Sequence, residues 1–245
     1  MKLQTAYGRF AAAVNSRIGV LVAFLLCVAV LPALAQTPSS PAPVAQPGAP
    51  AGPIKLAILG DSLAAGYGLT PAHAFPAKLD AALRARGRNV AVINHGVSGD
   101  TTAGGLERID WMMADKPDIV LIELGGNDGL RALDPAATER NLDAIVSKLK
   151  AAGVTVWLAG MLAPRNFGAD YAKAFDGLFK AVADKYELPF YPFFLDGVAQ
   201  DPALNQADGI HPNAKGVDII VERILPFVTE NLDKYATTVR RPARP

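Results

Sequence analysis

The sequence predicts an α/β protein with a mainly parallel five-stranded sheet covered by helices on both faces. Three observations lead there. Five short apolar runs, mostly β-branched or aromatic, each close on Gly, Asn, Asp or a loop. Amphipathic stretches of helical length lie between them, and the two kinds alternate along the chain, the order that lays crossover helices over a parallel sheet.

Ile54–Leu59 (IKLAIL) is the first predicted strand, followed by a helix over Phe75–Arg86. Val90–Asn94 is the second strand, and Thr102–Met113 the helix after it. Ile119–Leu124 (IVLIEL) is apolar at nearly every position, as a strand buried on both faces must be. The helix over Pro135–Ala152 gathers Leu142, Ile145, Val146 and Leu149 on one face. Val154–Ala159, a helix over Tyr171–Tyr186, the strand Phe190–Phe194 and a closing helix over Lys215–Tyr235 complete the pattern, with no internal repeat.

The folded region is expected over residues 54–235 of 245, with a short tail over 236–245. Ahead of it, Met1 to Arg17 carry Lys2, Arg9 and Arg17 and no acid, the apolar run Ile18–Leu31 follows, and Ala33 and Ala35 precede Gln36. These features predict a signal peptide over residues 1–35, cleaved near Ala35-Gln36, and a periplasmic or secreted protein. The 14-residue run is short of the roughly 20 needed to span a bilayer, so no stable membrane span is expected after cleavage. Residues 36–53 hold six prolines, four alanines and no charge, a tether that cannot build a core.

The chain is 51% hydrophobic and 19% charged with a formal net charge of +1, which sets aside a nucleic-acid partner and a disordered chain. Cys27 is the only cysteine and lies in the leader, where bulky Leu26 argues against lipidation, so the processed protein has no thiol nucleophile and no disulfide. His73, His95 and His211 are too scattered to make a metal cluster, and neither a metal nor a cofactor is expected.

In such sheets, ligands bind beyond the carboxyl ends of the strands, so the loops there carry the candidate residues. Ser62 directly follows the first strand, where unpaired N–H groups of a helical turn face developing negative charge; the same position suits a helix N-cap. Asp208 and His211, three apart in a Gly-containing loop, can face each other as orienter and base, or as turn cap and surface residue. Gly99 can bring a backbone N–H close to a ligand, and the Asn127 amide can donate into a cleft; both also suit turns. His73 and His95 compete as bases, and Asp61, Asp100 and Asp128 offer carboxylates for a metal or glycosidase site. No dinucleotide-binding glycine fingerprint, P-loop or G-x-S-x-G elbow occurs.

Taken in chain order, ILGDSLAAGYG, NHGVSGDTTAGGLERI, LIELGGNDGLR and DGIHPNAKG resemble the four blocks of the SGNH, or GDSL, hydrolase family over Ile54 to Tyr235. Within it, Glu123 to Arg131 and Leu162 to Gly168 look most like the thioesterase I, protease I and lysophospholipase L1 group, also called arylesterases. The resemblance implies a flavodoxin-like three-layer α/β/α sandwich and an esterase or thioesterase with Ser62, Asp208 and His211 as triad. Ser62, Gly99 and Asn127 would form the oxyanion hole, and the loop after the fourth strand would bind substrate through Met161, Leu162, Pro164, Arg165 and Phe167. Arg165 is an extra base within that loop. The expected partner is a small-molecule or lipid acyl ester, met by a monomer. A carbohydrate O-deacetylase, a non-catalytic binding protein and a membrane-tethered module are the alternatives.

Overall fold

The computed structural model describes residues 52–239. The leader with Cys27, nearly all of the tether and residues 240–245 lie outside the described residues.

Five strands form one parallel sheet: β1 (Ile54–Gly60), β2 (Val90–Gly96), β3 (Ile119–Glu123), β4 (Thr155–Ala159) and β5 (Phe190–Tyr191), in spatial order β2-β1-β3-β4-β5. Every β3 residue and Leu56 to Gly60 of β1 are buried, as near-continuous apolar runs with helices on both faces require. Among the described residues eight α-helices surround them: α1 (Ser62–Ala65), α2 (Phe75–Ala85), α3 (Thr102–Glu107), α4 (Ile109–Met113), α5 (Gly126–Leu130), α6 (Pro135–Ala151), α7 (Ala169–Tyr186) and α8 (Ala214–Val239). Helix α2 packs on α8, while α6 packs on α3 and α7. The chain leaves β1 in one direction for β2 and returns past it to β3, so right-handed crossovers put α2 on one face and α3 to α7 on the other. The result is the expected α/β fold, and the reversal at β1 opens a crevice at the sheet's carboxyl edge.

The larger departures from the expected elements are three. The helix over Thr102–Met113 is two helices, because Arg108 leaves helical geometry at φ −104°, ψ 10°. The fifth strand stops at Tyr191, since Pro192 has no N–H for the ladder. The last helix passes Tyr235 and reaches Val239.

Candidate active site

Ser62 is delivered by a turn with little freedom. β1 ends at Gly60, where a Cβ would stand 2.5 Å from Glu123 Oε2 and 2.6 Å from Ala64 Cβ. Asp61, not Ser62, caps the next helix: its Oδ1 accepts the Leu63 N–H at 2.9 Å. Ser62 is thus the first residue of α1, its N–H among the first-turn amides without an intrahelical acceptor, and its side chain is free to face the groove.

The facing loop brings the imidazole. His211 Nε2 lies 2.8 Å from Ser62 Oγ, and His211 Nδ1 lies 2.7 Å from Asp208 Oδ2. Asp208 also serves as the turn cap, because its Oδ1 accepts the backbone N–H groups of Ile210 and His211 at 2.9 and 3.0 Å. These bonds, led by the His211 backbone amide, hold the Asp208 carboxyl down at about 2. An ionised Asp208 can only accept, so Nδ1 carries the imidazole proton and Nε2 faces the serine as a base. Gln206 donates through Nε2 to the carbonyls of Tyr67 at 2.7 Å and Pro212 at 3.0 Å, fastening this loop to the segment after α1. The Tyr67 ring lies against the imidazole with centroids 4.5 Å apart. Asn213 caps α8 by accepting from Lys215 and Gly216, which fixes the loop's exit.

Asn127 stands on α5, just beyond β3, and its Nδ2 donates to Asp61 Oδ2 at 3.1 Å. Burial pushes the Asp61 carboxyl up to about 6, against the lowering by the Leu63 and Asn127 bonds. Beneath it, Glu123 is fully buried, and burial followed by the charge of Asp61 holds its carboxyl well above the ordinary range, against the lowering by the backbone amides of Asp61 and Ala64. Gly99, in the loop after β2, has φ +86°; a Cβ there would meet nothing closer than Arg131 Nη2 at 3.8 Å, so the dihedral and not space demands glycine. Arg131 Nη2 donates to the Gly99 carbonyl at 2.9 Å, tying that loop to the segment after α5.

A groove of about 440 Å³ opens onto Ser62, Asn127 and His211. Met161, Leu162, Pro164 and Arg165 line it as expected, together with Leu63, Leu130, Ala163, Phe193, Leu195, Ala199 and Ile210, which are not among the expected substrate-binding residues. Gly99 and Phe167 lie outside this lining, and the Phe167 ring meets that of Tyr171 edge-on. Arg165 is already paired: Nη1 donates to Asp176 Oδ2 at 2.6 Å, while Asp176 Oδ1 accepts the Ala163 N–H at 2.8 Å. Its charge serves the loop's own wall.

The competing residues are occupied elsewhere. His73 meets Thr70 Oγ1 at 3.0 Å, and His95 is buried against Asp115 with Nε2 3.0 Å from its carboxylate. Asp128 is buried, accepting from the Thr102 N–H, Thr102 Oγ1 and Thr138 Oγ1, and Asp100 pairs with Arg108. Among the described residues no group of three His, Cys, Asp or Glu side chains could hold a metal.

Residues 58–219 match the model of the GDSL-like Lipase/Acylhydrolase family. The chain is 41% identical to Esterase TesA of Pseudomonas aeruginosa over 172 residues, covering 70% of this chain and 86% of that one. It is 39% identical to thioesterase 1/protease 1/lysophospholipase L1 of Escherichia coli K12 over 181 residues, covering 72% and 86% of the two chains. The crystal structure of AlinE4, an SGNH-hydrolase family esterase, superposes with a TM-score of 0.63 at 44% identity, covering 75% of this chain and 99% of that one. The extent of the family match, with the serine, imidazole and carboxylate in line at the sheet's carboxyl edge, establishes that this chain belongs to the GDSL-like lipase/acylhydrolase family and is an SGNH esterase.

Proposed function

We propose that Ser62, His211 and Asp208 form the catalytic triad of an exported esterase that cleaves single-chain acyl esters and thioesters. The observation that carries this reading is the continuous relay from Ser62 Oγ to His211 Nε2 at 2.8 Å and from Nδ1 to Asp208 at 2.7 Å. Ser62 Oγ bonds to the acyl carbon as its proton passes to Nε2. Collapse of the tetrahedral intermediate breaks the bond to the leaving alcohol or thiol, which takes that proton and leaves an acyl-serine. Water repeats the sequence: it gives a proton to His211, bonds to the acyl carbon and frees the acid, while Ser62 recovers its proton. The backbone N–H groups of Ser62 and Gly99 and the amide of Asn127 hold the oxyanion in both halves. No cofactor takes part.

The groove supports one medium-length chain. Its volume stands toward the lower end of the roughly 300–1,000 Å³ range of ligand pockets, and its walls at Met161, Leu162, Ala163, Phe193 and Ile210 are apolar. Aryl esters, lysophospholipids and acyl thioesters fit this description better than two-chain lipids. Export rests on the basic start, the apolar run Ile18–Leu31 and the Ala33/Ala35 pair, and intact-mass measurement of exported protein starting near Gln36 tests it. For the chemistry, the test is fluorophosphonate labelling of Ser62 together with an acyl-chain series on aryl esters. Failure to label Ser62 overturns the triad, and an optimum at acetyl overturns the substrate class in favour of a deacetylase.

A further inference from the structure

We propose that Arg108, paired with Asp100, is a positioning residue for catalysis: its guanidinium fastens the Ser62 turn to the Gly99 loop and so fixes the geometry in which the oxyanion is bound. The inference rests on the roles proposed above for Ser62 and Gly99. Arg108 Nη2 donates to the Gly60 carbonyl at 2.8 Å, Nη1 to the His95 carbonyl at 2.7 Å, and Nε to Asp100 Oδ2 at 2.6 Å. Gly60 is the last residue of β1, directly before Asp61 and Ser62; His95 lies at the end of β2; Asp100 directly follows Gly99. One planar cation therefore joins the ends of two neighbouring strands and the loop between β2 and α3.

Gly60 shows how tightly this end is held. Its carbonyl accepts from Val97 N at 3.1 Å as well as from Arg108, so both lone pairs are engaged by groups belonging to the β2 side. A Cβ on Gly60 would stand within 2.6 Å of Glu123 Oε2 and Ala64 Cβ, so this end of β1 has no room for a side chain. The helix between β2 and β3 breaks at Arg108 itself, the residue whose side chain is turned toward the strand ends. Asp100 supplies the counter-charge within a pair whose side chains are 15% and 18% exposed. Lysine cannot substitute, because a single ammonium lacks the planar fork that reaches three acceptors in different directions.

A positioning role and a merely structural one predict different kinetics. Arg108→Lys should lower kcat on a short-chain aryl ester by about tenfold to a hundredfold, the scale of an ångström-level misplacement, with KM changed by less than about threefold. Rates are taken per mole of folded protein, well below the thermal transition. Arg108→Ala should recover part of its kcat in millimolar methylguanidinium, whereas methylammonium should have no effect, and Asp100→Asn should lose less than either Arg108 variant. Unchanged kcat in folded Arg108→Lys, with only a lower Tm, overturns the proposal. If Arg108 variants do not fold, Asp100→Asn decides: kcat equal to wild type in folded protein overturns it as well. Wild-type protein is labelled by fluorophosphonate in parallel, so failure of the Ser62 assignment is seen in the parent and failure of this inference only in the variants.

Discussion

Asp61 holds the amide of Asn127: the carboxylate oxygen Oδ2 accepts from Nδ2 at 3.1 Å while the other oxygen caps α1 through Leu63. One buried side chain therefore both starts the nucleophile's helix and aims a proposed oxyanion donor. Asp61→Asn keeps the shape but sets an NH2 group against the NH2 of Asn127. Turnover should fall by at least tenfold, toward the 10²–10³ that loss of an oxyanion donor typically costs, without unfolding. Because the folded carboxyl titrates near 6, above its ordinary 3.8, the native state binds the extra proton between those values, and wild-type stability falls as pH rises through that window. Asp61→Asn removes this slope, so its stability relative to wild type should improve from pH 4 to pH 7. Denaturant midpoints at the two pH values check the sign.

Ser62→Ala and His211→Ala should each abolish nearly all ester hydrolysis, because the two act as a unit, whereas Asp208→Asn should lose roughly a hundredfold less. Asp208 is held at about 2 in the folded protein, so its stabilising bonds are complete above its ordinary 3.8 and are lost as pH falls toward 2. The denaturant midpoint of Asp208→Asn should therefore fall less than that of wild type between pH 5 and pH 2. Equal activity of Ser62→Ala and wild type on an aryl ester contradicts the relay.

Gly60→Ala drives a methyl group against Glu123 Oε2 and Ala64 Cβ. Overpacking of this kind costs about 1–3 kcal/mol, and the displaced turn should also depress turnover. Glu123→Ala vacates one of the two obstructions, so the pair of substitutions should cost less than the sum of the two alone. A double-mutant cycle in urea with no coupling contradicts the contact.

Along the groove, aryl-ester kcat/KM should climb from acetyl to a medium chain and then level, gaining up to about 0.8 kcal/mol, or fourfold, per buried methylene. Ala163 is a buried wall residue whose backbone is held by Asp176. Ala163→Leu should bring the plateau forward, cutting octanoyl hydrolysis by about tenfold, the worth of one to two methylenes, while acetyl hydrolysis stays within about twofold. Parallel losses on both esters, measured side by side, place Ala163 outside the acyl path.

Much of this protein is legible in its residues taken in order. Strands buried on both faces read as unbroken apolar runs, so β1, β3 and β4 are found nearly to the residue. Loops at the sheet's carboxyl edge and before the last helix hold Ser62, Asn127, Asp208 and His211 as candidates that also suit turns and caps, and the resemblance of the four sequence blocks to the SGNH family implies their roles. Asp208 and His211 are only three residues apart, and their mutual bond is a local matter that spacing can express.

Tertiary structure alone decided what depends on strand order. Ser62 and His211 are separated by 149 positions and Asp61 and Asn127 by 66, and no periodicity reports such meetings. The helix expected over Thr102–Met113 gave way at Arg108, whose three partners lie on β1, β2 and the Gly99 loop. Arg165 was matched by Asp176, Phe167 stood outside the groove lining, and Phe193, Leu195, Ala199 and Ile210 came from later loops to complete the wall. The physical reason is common to all of these. Burial patterns are written along the chain because each residue needs only to know its own side of a strand or helix, whereas charge pairing and groove shape depend on which distant surfaces the sheet brings face to face.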